Sequence, residues 1–351
     1  MQDSGPMAAA AAFLSGLRVL DLSIWRPGPY ATSLLVPLGA DVLKVEPPGG
    51  DPMRHYAGLF AAVNEGKRSV ELDLKDTTAR AEAVELATQA DVLVEGFRPG
   101  VLARLGLDEA AVRVLNPSIV YCSISGYGQH DPRSLLPGHD VNYQAWSGAL
   151  TPEGGTARSI PPLPTADLAA GLTAAFGICA AVLGRMTSGE GAYIDVSMTD
   201  VLSTWTGPAG AGPADRTDFD APSAPTPGYG LFATADGGQV ALGVLNEQHF
   251  WASLCEELAL GALADLGFDE RCRRATELQR VLGQAIEAQP RDDLVARLVA
   301  AGVPVAPVLD RQGMLAAAPF PRFPIRLPVP GAARPVPTLD QHRGQGFGVP
   351  A

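Results

Sequence analysis

Two side chains in this sequence are of the right type and setting to move a proton or attack a carbonyl: Asp167 and His139. Asp167 follows the run PPLPTA and opens DLAAGLTAAFGICAAVLGRM, Asp167–Met186, the strongest helical pattern in the chain. A helix N-terminus carries unpaired N–H groups and partial positive charge, which favour a carboxylate or other oxyanion placed there. Position alone leaves two roles open for Asp167: an ordinary cap or a reactive carboxylate held ionised. His139 sits in the loop PGHDVNY, after Gly138 and before Asp140. An imidazole there suits acid–base chemistry and equally suits a surface hydrogen bond. Spacing does not join His139 to Asp167, and the other histidines have no neighbours that point to a role.

Basic residues supply a second, more diffuse signal. Lys67, Arg68 and Lys75 flank SVELDL, and Arg98 follows a strand end in EGFRPG. Ligands of open α/β sheets bind beyond the carboxyl ends of the strands, where arginine and lysine suit phosphate groups. GYG at 126–128 is not a dinucleotide fingerprint, and no P-loop is present. The four cysteines lie far apart without a C-x-x-C pair, so neither a disulfide framework nor a metal site is expected. Reduced thiols and a cytoplasmic location follow as expectations.

The elements that must position these residues alternate in type. Strand patterns at 17–22, 40–46, 69–74, 90–97 and 118–126 are separated by helical patterns at 30–38, 76–89 and 102–115. Such alternation predicts a parallel, Rossmann-like α/β sheet. The helix from Asp167 is apolar almost all round, which predicts burial. Residues 207–227 are rich in Pro, Gly, Ala and Asp and read as a linker. A hairpin turning at Asp236–Gly238, helices near 247–260 and 292–301, and a strand at VPVAPVL predict a smaller α+β domain. The expected boundaries are a disordered leader (1–15), a large domain (16–206), the small domain (228–318) and a tail (319–351) packing back on the large domain.

Composition narrows the classes. With 46% hydrophobic and 18% charged residues among 351, the chain can bury a large core. A net charge of −12 without a basic run argues against nucleic acid as a partner. No run of eighteen apolar residues occurs, so no membrane span is expected.

Taken in order, LRVLDLS, PGPY, LGADVLKVEPPGGDP, NEGKRSVELDLK, ADVLVEGFRPG, LNPSIVYCSISGYGQ, GHDVNYQAWSGAL, ADLAAG and SGEGAYIDVSM form a pattern running from about residue 16 to 350. It resembles the class III coenzyme A transferase family, which also contains α-methylacyl-CoA racemases. The resemblance implies a Rossmann-like large domain, a small domain and two chains interlocked as rings in a homodimer. It implies an acyl-CoA thioester as substrate, with coenzyme A as part of that substrate and no prosthetic group. The shared catalytic aspartate falls on Asp167. The second racemase base falls on His139, with Asp140 beside it, and the glutamate that supports this histidine falls on Glu247 or is replaced by Asn246. Coenzyme A contacts fall on Leu72, Lys75, Gly96, Phe97, Arg98 and Arg104. An arginine common after the second strand is Pro47 here, leaving Arg26 or Lys44 to take its place.

The GHDVNY motif and the chain length favour the racemase branch, whereas QAWSG looks like the transferases. The leading expectation is therefore proton transfer at C2 of a 2-methylacyl-CoA by His139 and Asp167, the helix N–H groups at Asp167 stabilising the enolate. The alternative is transfer of coenzyme A between carboxylic acids through Asp167 as nucleophile. A non-catalytic acyl-CoA binding protein of the same fold is the third possibility.

Overall fold

The protein is described from a computed structural model covering residues 12–150, 163–206, 226–317 and 335–348. It divides into two compact units, Met1–Ala211 with Phe323–Ala351, and Gly212–Arg322.

The first unit is built on six parallel strands: β1 (Arg18–Asp21), β2 (Asp41–Glu46), β3 (Arg68–Glu71), β4 (Val92–Glu95), β5 (Val120–Ser125) and β6 (Ala192–Ser197). Their order is β3-β2-β1-β4-β5-β6, the doubly wound arrangement whose strand order reverses between β1 and β4. Its helices are α1 (Pro27–Leu35), α2 (Ala57–Asn64), α3 (Thr77–Gln89), α4 (Val101–Leu105), α5 (Glu109–Leu115), α6 (Asp140–Trp146), α7 (Thr165–Ser188) and α8 (Met198–Thr206). Alternate residues of each strand face opposite layers. Val19, Val42, Val92, Val120 and Cys122 pack with α1 and α7, whereas Leu20, Leu43, Leu93 and Tyr121 pack with α3 and α5.

Several boundaries differ from the sequence reading for local reasons. Pro27 starts α1 rather than ending the preceding loop, because proline at the first helical position loses no hydrogen bond. The pattern at 102–115 splits into α4 and α5 at Gly106, whose φ of +67° ends the first helix. Residues 12–15, assigned by sequence to the leader, belong to the fold: the Leu14 N–H donates to Leu38 O at 2.8 Å. Residues 1–11 and the linker region 207–225 lie outside the described residues.

The helix α7 corrects the expectation of burial all round. Ala166, Ala169, Ala170, Ala174 and Ile178 face the sheet, and Gly171 lets α1 approach, since a Cβ there would stand 2.7 Å from Pro27 O. The opposite stripe, Leu172, Phe176, Leu183 and Met186, is exposed in the single chain. By length and composition α7 could also cross a membrane, although its other face covers the sheet.

From the C-terminal tail, the described residues Pro335–Gly348 lie along β3. His342 Nδ1 accepts from Ser69 N at 3.1 Å, Asp340 Oδ1 accepts from Glu71 N at 2.9 Å, and the Arg68 guanidinium donates to Gln345 O and Gly346 O.

The second unit has an antiparallel sheet, β7 (Tyr229–Ala233), β8 (Gln239–Gly243) and β9 (Val305–Pro307), in the order β7-β8-β9. Ala233 pairs with Gln239, so the hairpin turns through Asp236–Gly238. Its helices are α9 (Gln248–Glu257), α10 (Phe268–Arg273), α11 (Ala275–Glu287), α12 (Arg291–Ala300) and α13 (Arg311–Ala317). The sheet packs with α9, α11 and α12 around Trp251, Leu278, Leu282 and Leu294.

Candidate active site

Beyond the carboxyl ends of β1, β4 and β5 lies a cleft of about 470 Å³, at the point where the strand order reverses. Trp25 and Gly28 reach it from the β1–α1 turn, and Gly96, Phe97 and Arg98 from the loop after β4. Ser125 and Gly126 form its β5 side, and His139, Tyr143 and Asp167 complete it.

The β1–α1 turn is held from beneath by buried charge. Asp21, at the end of β1, receives the Lys67 ammonium at 3.0 Å and the Thr32 hydroxyl at 2.6 Å, and also bonds the Ser23 hydroxyl. Lys44 pairs with Asp51 at 2.9 Å and donates to Ser23 O at 2.7 Å, while Asp51 Oδ1 accepts from Trp25 N at 3.3 Å. Burial opposes ionisation of Asp21, but the two ammonium groups and the hydroxyls hold its carboxyl far below the usual range. Trp25 itself takes a φ of 63°, uncommon for a bulky residue, and sets its ring at the edge of the His139 imidazole, 6.4 Å between centroids. The fully buried Lys44 therefore serves the loop and is not free to replace the missing arginine.

The loop from 137 to 146 is shaped around Tyr143. The Tyr143 hydroxyl donates to Gly138 O at 2.6 Å, and Cβ atoms at Gly126 and Gly138 would stand 2.3 Å and 2.7 Å from its ring. Both positions therefore require glycine for close approach. His139 precedes α6, and its backbone N–H donates to Asn142 Oδ1 at 3.0 Å. Its exposed imidazole faces the cleft.

Asp140 does something the sequence did not indicate. Its Oδ1 accepts from the Ala166 N–H at 2.7 Å and the Asp167 N–H at 3.1 Å, while Gln144 Nε2 donates to its Oδ2. The start of α7 is thus capped by a carboxylate from another element. Asp167 does not cap its own helix, and these two N–H groups do not point free into the cleft. That corrects both expectations placed on this helix end, stabilisation of an enolate and of the ionised Asp167. Burial and the neighbouring Asp140 charge instead push the Asp167 carboxyl up to about 7, with Arg26 opposing them. No cation pairs directly with Asp167 among the described residues.

Behind the loop after β4 lies a second raised carboxyl. Glu95 Oε2 accepts from the Phe97 N–H at 2.7 Å, fixing the turn Gly96–Phe97–Arg98. Burial pushes Glu95 up to about 7, against hydrogen bonds from Ser123 and Phe97.

The cleft therefore brings together Asp167, His139, Gly96, Phe97 and Arg98, with Asp140 as support. Leu72 is buried in the core beside β3, and Lys75 and Arg104 are exposed without lining the cleft. Glu247 belongs to the second unit, where its carboxylate accepts from Leu245 N at 3.1 Å. Sequence reasoning overlooked Trp25, Tyr143, Glu95 and Ser125. For Tyr143 a signal existed in the Gly138–Tyr143 spacing, since a lone glycine five residues before an aromatic fits a ring lying on backbone.

The comparisons with known proteins fit this geometry. The sequence profile of CoA-transferase family III matches residues 14–323. The chain belongs to that family. Acetyl-CoA:oxalate CoA-transferase of Acetobacter aceti is 35% identical over 335 residues, 88% of this chain and 84% of that protein. The human alpha-methylacyl-CoA racemase is 35% identical over 264 residues, 70% of this chain and 65% of the racemase. A CAIB/BAIF family protein from Brucella suis superposes with a TM-score of 0.80 at 27% identity, covering 94% of this chain and 97% of that one. Relatives with transferase names match 88% and 86% of this chain, against 70% for the racemase, and the expectation of a racemase is not favoured.

Proposed function

We propose that this member of the family transfers coenzyme A between carboxylic acids, with Asp167 as nucleophile. The observation that carries the reading is the setting of Asp167: a cleft carboxyl raised to about 7, unpaired among the described residues, beside helix N–H groups already occupied by Asp140. Proton transfer at C2 needs hydrogen-bond donors for the enolate oxygen, and the donors assigned to that task are taken. A nucleophile needs the opposite: a basic carboxylate, not stabilised by partners, aimed at a bound thioester.

Chemically, the Asp167 carboxylate adds to the thioester carbonyl and the coenzyme A thiolate leaves, giving a mixed anhydride. The thiolate then attacks the aspartyl carbonyl, releasing the first acid and leaving Asp167 as a thioester. The acceptor carboxylate attacks that thioester, giving a second mixed anhydride, and the freed thiolate attacks its new acyl carbonyl, expelling the Asp167 carboxylate. Gly96, Phe97 and Arg98 fit the coenzyme A side of the cleft, while His139 and Trp25 shape the acyl side. A homodimer is part of the same proposal, since it would cover the exposed apolar stripe of α7.

The test is incubation of acyl-CoA esters with free carboxylates in heavy water. Transfer of coenzyme A to an added carboxylate, without deuterium at C2, is the expected result. Deuterium at C2 of a 2-methylacyl-CoA with no acceptor present would restore the racemase reading, for which His139 in the same cleft is the structural argument.

A further inference from the structure

Ser125 ends β5 and lines the cleft. Its residue is 7% exposed, and its Oγ is buried with no hydrogen-bond partner among the described residues. Its register partner on β6, Ser197, has its hydroxyl engaged, accepting from Asp200 N at 3.1 Å. Thr199 Oγ1 donates to the carbonyl of the next residue, Gly126 O, at 2.8 Å. An orphaned buried hydroxyl lowers stability relative to alanine at the same position, so its presence on a cleft wall calls for a partner that arrives from outside.

The wall fixes the kind of partner. Gly96, on the neighbouring strand's loop, lies against Ile124, its built Cβ 3.8 Å from the Ile124 carbonyl oxygen. Gly126 follows under the Tyr143 ring. Ser125 thus stands between the Gly96–Arg98 side of the cleft and the side that carries Tyr143, on the same cleft as Asp167. On the proposed reading, the part of a ligand spanning those two sides is the pantetheine arm and its thioester, which carry carbonyl oxygens and no charge. We infer that the Ser125 hydroxyl donates a hydrogen bond to a carbonyl oxygen of the bound acyl-coenzyme A, and this rests on the coenzyme A reading above. The hydroxyl that burdens the empty protein is satisfied in the complex.

Calorimetric titration of the full-length protein and of Ser125→Ala with acetyl-coenzyme A and with free coenzyme A, alongside melting of the unliganded proteins, tests this. The variant is expected to bind acetyl-coenzyme A about five- to tenfold more weakly, the loss of one hydrogen bond. Its unliganded midpoint should equal the wild type or rise by about 2 °C. An equal loss for free coenzyme A places the contact on the pantetheine arm. A loss confined to acetyl-coenzyme A places it on the thioester carbonyl. Unchanged affinity for both ligands overturns the inference, as does weaker binding with a lowered midpoint, which would make the hydroxyl structural. Wild-type protein that binds neither ligand would remove the coenzyme A reading and this contact together. Wild-type protein that binds both without transferring coenzyme A to a carboxylate would remove only the transferase reaction.

Discussion

Asp21 and Asp167 are both carboxylates withdrawn from water in the same unit, and they have opposite surroundings. Asp21 sits in a closed network of Lys67, Lys44, Ser23 and Thr32 and is held far below the usual carboxylate range. Asp167 has no ion-pair partner among the described residues, a like charge beside it in Asp140, and a carboxyl raised to about 7. The first arrangement spends every lone pair on holding the β1–α1 turn in place. The second leaves basicity available for a substrate. Burial alone therefore does not distinguish a structural carboxylate from a reactive one; the identity of the neighbours does.

The largest effect separating the two is on turnover. Asp167→Asn should lower the transfer rate by at least about 10³-fold, read in a coenzyme A transfer assay. The same variant should melt higher than wild type at pH 8. Because the folded carboxyl lies above its unfolded value of about 4, ionising it costs stability increasingly as pH rises from 4 to 7. Removing the charge should return on the order of 1 kcal/mol, allowing for partial solvent contact.

Asp21→Asn should do the reverse, leaving Lys67 buried without its counterion. A loss of about 3–5 kcal/mol in denaturant unfolding is expected, with whatever folds retaining Asp167 chemistry. Here the folded carboxyl lies below its unfolded value, so the stability it contributes is present above about pH 4 and is lost as pH falls. A wild-type-like midpoint for this variant would break the contrast.

The smallest expected effect comes from Asp140→Asn, which keeps an oxygen acceptor for the Ala166 and Asp167 N–H groups while removing the like charge. The acidic limb of the pH–rate profile should move down by roughly half a unit to one unit. An unmoved limb would mean that burial alone raises Asp167.

Much of this was legible in the sequence. Period and breaker residues placed five of the six parallel strands, all but β6, and the long helix, because buried parallel strands are short apolar runs. The ordered motifs pointed to Asp167 and to the Gly96–Arg98 loop. What was not legible was set by contacts distant in sequence. Asp140 caps a helix that begins more than twenty residues later, and no local pattern announces it. Lys44 and Lys67 look like surface lysines until the fold buries them against Asp51 and Asp21. The outer stripe of α7 reads as buried because apolar composition does not say what covers it.

The central claim is that the Asp167 carboxyl becomes covalently bonded during turnover. The direct measurement is mass spectrometry of the protein quenched while turning over an acyl-CoA with an acceptor carboxylate, followed by hydroxylamine treatment and peptide mapping. The account predicts a hydroxylamine-sensitive adduct on the peptide containing Asp167, absent from Asp167→Asn. Turnover with no adduct on that peptide, accompanied by deuterium uptake at C2 in heavy water, would contradict it.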